Sequence, residues 1–286
     1  KADTQDTSTK YTVTYNTDGG STAPASQDAT ITKVTGYTFD EWIKSSGFKG
    51  TLNETTRIYT YPADNNNTDT ITATYTSSIK STTVASVTLG VAPTKEGYDF
   101  VGWKSSTNNE TYNAGASYTP TANTTMTAQW TAATYTIAYA GMEGATHGTN
   151  HPTSGTYNEN VEISNPTKDG YTFAGWTSNA GAGLNTTTAK RGTTTTPNTD
   201  WDGTATTDTY FKNLRESGTV TMVANWTPVA FNLPTVTKAG YTCTWNTEAN
   251  GSGTSYASGA SYTPTANSAA AVTMYAQCSP NTYTIG

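Results

Sequence analysis

The chain has 286 residues, a formal net charge of -6, 34% hydrophobic and only 13% charged residues. Its 15 Lys plus Arg leave no basic surface to neutralise a phosphate backbone, so no nucleic-acid partner is expected, and no run approaches the ~20 apolar residues that span a bilayer, so no membrane insertion is expected in this segment. An aromatic share of 11% is foreign to disordered segments, and abundant β-branched Thr beside Tyr and Trp favours strands over long helices. With Cys 2 and His 2 there is little from which to build a nucleophile–base pair or a transition-metal site, and the 21 Asp plus Glu lie scattered in polar loops. No enzymatic activity is expected.

After a polar lead-in over residues 1–10, the chain divides into four self-similar units. Unit 1 (11–76) opens with the alternating strand Tyr11-Thr12-Val13-Thr14-Tyr15, continues through Gly36-Tyr37-Thr38-Phe39-Asp40-Glu41-Trp42 and ends in Ile71-Thr72-Ala73-Thr74-Tyr75. Unit 2 (77–131) lacks a clear first strand, carries Gly97-Tyr98-Asp99-Phe100-Val101-Gly102-Trp103 and ends in Met126-Thr127-Ala128-Gln129-Trp130. Unit 3 (132–227) opens with Tyr135-Thr136-Ile137-Ala138-Tyr139 and carries Gly170-Tyr171-Thr172-Phe173-Ala174-Gly175-Trp176. An insertion over 177–217 separates that motif from the end strand Met222-Val223-Ala224-Asn225-Trp226. Unit 4 (228–279) has the shortened Gly240-Tyr241-Thr242-Cys243-Thr244-Trp245 and ends in Met274-Tyr275-Ala276-Gln277-Cys278. Units 2 and 4 share a tail, YNAGASYTPTAN over 112–123 and YASGASYTPTAN over 256–267. Residues 280–286, with Tyr283-Thr284-Ile285, read as the first strand of a following unit, whose edge would pair within that unit or with a neighbouring chain.

The pattern of strand, Gly-Tyr-x-Phe-x-Gly-Trp, variable middle and Ala-x-Trp resembles the Listeria-Bacteroides repeat, the module of internalin B-repeats and many large bacterial surface proteins. The resemblance implies a mainly β, elongated tandem array of four small β-grasp-like units in long-short pairs, located extracellularly on the bacterial cell surface. It implies a non-catalytic structural segment of a stalk or fibre, with adjacent repeats of the same long chain or neighbouring copies in a fibre as partners. The alternative is an adhesive module that recognises a surface receptor or glycan through the insertions of units 1 and 3, Ser45 to Asn67 and Thr177 to Ser217. The sequence departs from the pattern at Glu41, which stands where the Gly should be, and in the missing first strands of units 2 and 4.

The recurrent aromatics read as repeat core: Tyr37, Phe39, Trp42 and Tyr75 in unit 1, and Tyr98, Phe100, Trp103 and Trp130 in unit 2. Unit 3 contributes Tyr171, Phe173, Trp176 and Trp226, and unit 4 contributes Tyr241 and Trp245. Alignment of the units puts Cys243 at the Phe39, Phe100 and Phe173 position and Cys278 at that of Tyr75, Trp130 and Trp226. If those aromatics meet in three units, a disulfide replaces the contact in the fourth, and it implies an oxidising exterior. Asn198, Asp200 and Asp202 before Gly203 match the first half of a calcium loop, with Thr209 where the bidentate Glu would stand; calcium is the one cofactor considered. Trp201, between them, reads either as an exposed ligand-binding aromatic or as cover for the insertion's own small core with Tyr210 and Phe211. His147 and His151 could share a metal only if their loop were helical, which Gly148 and Pro152 oppose.

Overall fold

The computed structural model describes residues 1–60, 68–264 and 273–285. Residues 61–67 of the unit 1 insertion, the unit 4 tail beyond 264 and Gly286 lie outside the described residues. Those described are mainly β, with one 3-10 turn at Ala180–Ala182 and no α-helix among them. Two compact units form, one from residues 1–95 and 100–130, the other from 96–99 and 131–286.

The first unit is built on a six-stranded sheet in the order Ile71–Val84, Gln27–Lys44, Thr4–Asn16, Thr124–Ala132, Tyr98–Ser105 and Thr111–Tyr112. Thr4–Asn16 runs antiparallel to Gln27–Lys44 and parallel to Thr124–Ala132, where Val13 pairs with Thr124 and Asn16 with Thr127. The opening strand of repeat 1 therefore completes the sheet of repeat 2. Its inward Val13 joins Leu89, Trp103, Tyr118, Met126 and Ala128 in one buried cluster, with Tyr15, Phe100 and Trp130 packed around it.

Gln27–Lys44 and Ile71–Val84 form a long ladder, paired from Ile31–Val84 to Lys44–Ile71, which past Thr35 continues beyond the pairing with Thr4–Asn16 as a two-stranded ribbon. This ladder passes without a break through the expected boundary at 76/77, because both strands extend beyond the repeated motif. The ribbon also corrects the core expected in repeat 1. Tyr37, Phe39, Trp42 and Tyr75 belong to neither buried cluster, and Phe39 is 43% exposed. A sheet closes a core only against a second layer, and the described residues supply none over the ribbon.

Repeat 3 folds on its own segments. Its sheet order is Ala145–Thr146, Thr167–Lys168, Tyr171–Thr177, Gly218–Pro228, Thr134–Ala140 and Ser154–Thr156. Thr134–Ala140 again runs parallel to the closing strand, from Tyr135–Gly218 to Ala140–Val223. The insertion is not an appended loop. Its Lys190–Gly192, Thr199–Asp200 and Tyr210–Lys212 combine with Asn160–Glu162 in a second sheet, and Leu184, Trp201, Phe211 and Leu214 share a buried cluster with Trp176.

Repeat 4 keeps Tyr241–Asn246 between Ser255–Ala257 and Tyr275–Pro280, beside the small ladder of Phe231–Asn232 with Ser261–Tyr262. No opening strand is present among its described residues. The expected strand at Tyr283-Thr284-Ile285 is likewise not formed: residues 281–285 lie outside any strand, and Tyr283 and Ile285 are 78% and 96% exposed. A strand exists only through a paired neighbour, and the described residues offer this segment none.

One irregularity sets the side-chain pattern of the tryptophan strands. Phe173 and Trp176 are three residues apart and would face opposite sides of a regular strand. A register shift between Phe173 and Gly175 turns both rings to one face, with centroids 5.3 Å apart. Gly175 holds the bulge at φ 121°, where an added Cβ would meet the Thr206 backbone at 2.9 Å. In repeat 4 the motif is one residue shorter, and Cys243–Cys278 and Trp245–Ala276 follow in continuous register. Gly175→Ala is expected to cost more than about 2 kcal/mol in denaturant unfolding. Gly259→Ala, also at positive φ but with no atom within 4 Å of the new Cβ, is expected to cost only about 1 kcal/mol.

Candidate functional site

The constellation common to all repeats is a cross-strand pair between the tryptophan strand and the closing strand. Phe39 lies opposite Tyr75 and Phe173 opposite Trp226. The ring centroids are 5.9 Å apart for Phe39–Tyr75, 5.6 Å for Phe100–Trp130 and 5.5 Å for Phe173–Trp226, all edge to face, the arrangement the ring quadrupoles favour. In repeat 4 the same positions hold Cys243 opposite Cys278, joined as a disulfide with Cα atoms 4.1 Å apart.

Around this pair, the closing tryptophans anchor the turn after each opening strand. Trp130 Nε1 donates to Thr17 O at 3.1 Å and Trp226 Nε1 to Gly141 O at 2.7 Å. Lys95 and Lys168 lie over the same rings, 5.6 and 5.8 Å from Trp130 and Trp226. Lys168 also lies over Tyr171 at 4.6 Å, and in repeat 4, where the tryptophan is a cysteine, Lys238 sits over the equivalent Tyr241 at 3.9 Å. Sequence reasoning missed the buried aliphatics Leu89, Ile163 and Leu233. The signal was present, since each precedes the lysine by a few residues in segments that run into Gly-Tyr.

The expected ligand sites fare differently. Asp200 accepts from Lys190, and Asp202 Oδ1 accepts from Thr204 N at 3.0 Å and Thr204 Oγ1 at 2.8 Å, holding its carboxyl below the usual range. Both acids thus have protein partners, Asn198 is exposed beside them, and no group of three or more His, Cys, Asp or Glu among the described residues is placed to hold a metal. Trp201 corrects the exposed reading: it is fully buried, its ring 5.2 Å from Phe211 and its Nε1 donating to Thr204 O at 2.7 Å. The insertion carries its own apolar residues, and the indole is the largest surface they can remove from water. The histidine loop also departs from expectation. Without any helix it stacks His147 on His151, centroids 4.8 Å apart and 18° from parallel.

Burial pushes the hydroxyls of Tyr135 and Tyr139, on the opening strand of repeat 3, up to about 12 from 10.0. Both rings pack in the repeat 3 core, and the Tyr139 hydroxyl donates to Pro152 O at 2.9 Å.

The family model for the Listeria-Bacteroides repeat domain matches residues 11–64, 59–129, 135–202 and 206–277. Neither a curated protein nor a solved structure gives a match.

Two outcomes test this constellation. Removing the disulfide by Cys243→Ala with Cys278→Ala is expected to lower the stability of the repeat 4 segment by about 4 kcal/mol, from the loop entropy of a 35-residue separation. Local amide exchange under denaturant reads this loss. For the tyrosines, the folded state keeps its protons to higher pH than the unfolded chain. Their contribution is therefore complete below pH 10 and lost as pH rises toward about 12. Melting temperature should fall across that window, and fall less in Tyr135→Phe with Tyr139→Phe.

Proposed function

Because the chain belongs to the Listeria-Bacteroides repeat domain family, we propose that it is a non-catalytic structural segment of an extracellular bacterial surface stalk or fibre, its repeats acting as small β-grasp-like modules in long-short pairs. The observation that carries this reading is the placement of the first and last strands of repeat 3. Thr134–Ala140 and Gly218–Pro228 are parallel neighbours with six successive residue pairs. Tension along the chain enters through one and leaves through the other, so it shears the whole ladder at once. In an antiparallel hairpin pulled from its open end the bonds would instead break one at a time. Repeat 2 uses the same arrangement with the strand contributed by repeat 1. The disulfide of repeat 4 bridges the strands where the aromatic pair is missing, and an oxidised pair fits an exterior location. Repeats of this family are typical of bacterial surface proteins, and no helix among the described residues is long and apolar enough to cross a membrane.

One observation favours the adhesive alternative. The repeat 1 ribbon presents Phe39 at 43% exposure, with ring centroids 5.1 Å from Trp42 and 5.9 Å from Tyr75, and exposed aromatic clusters commonly serve as contacts for partners or glycans. The repeat 3 insertion is a poorer candidate, since its aromatics form core.

Single-molecule pulling separates the readings. Force applied between attachment points at Thr134 and Pro228 should unfold repeat 3 at clearly higher force than force applied between the paired residues Tyr171 and Pro228. Labelled chain should also not be retained on glycan or host-protein surfaces at micromolar concentration. Equal forces, or retention abolished by Phe39→Ala with Trp42→Ala, would favour the adhesive module.

A further inference from the structure

Repeats 2, 3 and 4 place equivalent side chains around one position, and in repeat 4 no strand among the described residues takes that position. In the first two, the opening strand lies parallel to the closing strand and buries Val13 and Ile137 at 0% and 2% exposure. Beneath it, Trp103 and Trp176 are 0% and 1% exposed, Met126 and Met222 are both 0%, and Ala128 and Ala224 are 1% and 3%. The equivalents in repeat 4 are uncovered: Trp245 and Met274 are half-buried and Ala276 is exposed. Tyr275–Pro280 is the edge of its three-stranded sheet. Beside its start lies a groove of ≈ 240 Å³ lined by Phe231, Leu233, Pro234, Trp245, Tyr262 and Met274. The backbone beneath the groove keeps the geometry of repeat 2. Leu233 N donates to Ala260 O at 2.8 Å as Leu89 N does to Ala116 O, and Phe231 pairs with Tyr262 as Val87 does with Tyr118. The groove is therefore an intact site for an apolar, alternating strand.

The described segments that lead into and out of repeat 4 cannot fill it. Upstream, only Val229 and Ala230 separate Pro228, at the end of the repeat 3 closing strand, from Phe231, which already belongs to the repeat 4 ladder. Downstream, Tyr283-Thr284-Ile285 repeats the opening motif Tyr135-Thr136-Ile137, but only Asn281 and Thr282 separate it from Pro280. A parallel strand must return to the start of its neighbour, which takes a connection of about a dozen residues or more.

Independently of where the chain is displayed, we propose that repeat 4 is an acceptor for a second copy of this chain. The donor's Tyr283-Thr284-Ile285 lies parallel to the start of the acceptor's closing strand, and Ile285 takes the place held by Val13 and Ile137, against Leu233, Tyr262 and Met274. Donor and acceptor surfaces differ, so the contact is heterologous and propagates head to tail. It is a β-strand addition in which the ladder provides affinity and alternate side chains provide register.

Sedimentation velocity on the chain over a concentration series tests the proposal, with a donor variant Ile285→Asp and an acceptor variant Met274→Asp. The wild-type chain should form concentration-dependent head-to-tail oligomers. Each variant alone should associate more than about tenfold more weakly, because a carboxylate is carried into an apolar groove. An equimolar mixture of the two variants should recover association but stop at a heterodimer, since only one intact donor and one intact acceptor remain. A fluorescent peptide of residues 134–140, the opening strand of repeat 3, should bind the wild-type chain and compete with its association; this measurement does not depend on how Met274→Asp folds. A wild-type chain that stays monomeric, an Ile285→Asp chain that associates as the wild type does, or a variant mixture without heterodimer would overturn the proposal. Peptide binding without self-association would also overturn the second copy as the occupant.

Discussion

The contact on which the rest of the structure depends is the edge-to-face pair between the tryptophan strand and the closing strand. It brings Phe173 against Trp226 and, through the bulge at Gly175, sets Trp176 on the same face. The bulge is needed because three residues separate the two rings while the side-chain period of a strand is two. Repeat 4 omits one residue, needs no bulge, and brings Cys243 and Trp245 to one face by simple alternation. The disulfide thus arises in a repeat whose strand runs in unbroken register, unlike those of repeats 1 and 3.

A pair of strands does not by itself enclose a core, and the opening strand supplies the missing wall. Where it is present, Val13 or Ile137 is buried and the tryptophan and methionine beneath are sealed. In repeat 4, where no described strand takes that place, the same residues stay partly wet. The repeat 1 ribbon is the opposite case, with the aromatic pair in place but no second layer among the described residues to cover it. Its opening strand has been lent to repeat 2 across a long stretch of chain, reflected in the hydrogen bond from Trp130 to Thr17. Closure entropy rises only slowly with loop length, so a ribbon can lie between the two partners at modest cost.

Most of the local pattern was legible in the residues. The alternation of Tyr135-Thr136-Ile137-Ala138-Tyr139 is a strand in the structure, and the alignment of Cys243 with Phe173 and Cys278 with Trp226 corresponds to opposite positions in equivalent ladders. Other features were hidden. Trp201 stood among Thr, Asp and Gly, a polar setting that gives no hint of burial, yet its neighbours in space, Leu184, Phe211 and Leu214, are brought to it by sheet formation in the insertion. The stacking of His147 on His151 depended on a turn geometry that spacing alone does not specify. The aromatics of repeat 1 carried the same motif as the others, but burial depends on what covers a strand as well as on its own residues.

The sequence by itself determined the strand content, the four repeats and the equivalence of the cysteine and aromatic positions, because alternation and repetition are local properties written in neighbouring residues. Only the tertiary structure decided which opening strand completes which sheet, which aromatics are sealed, and that repeat 4 is left with an open groove. Parallel pairing joins segments far apart in the chain and leaves no periodic trace between them, so its partners become visible only when the strands are seen side by side.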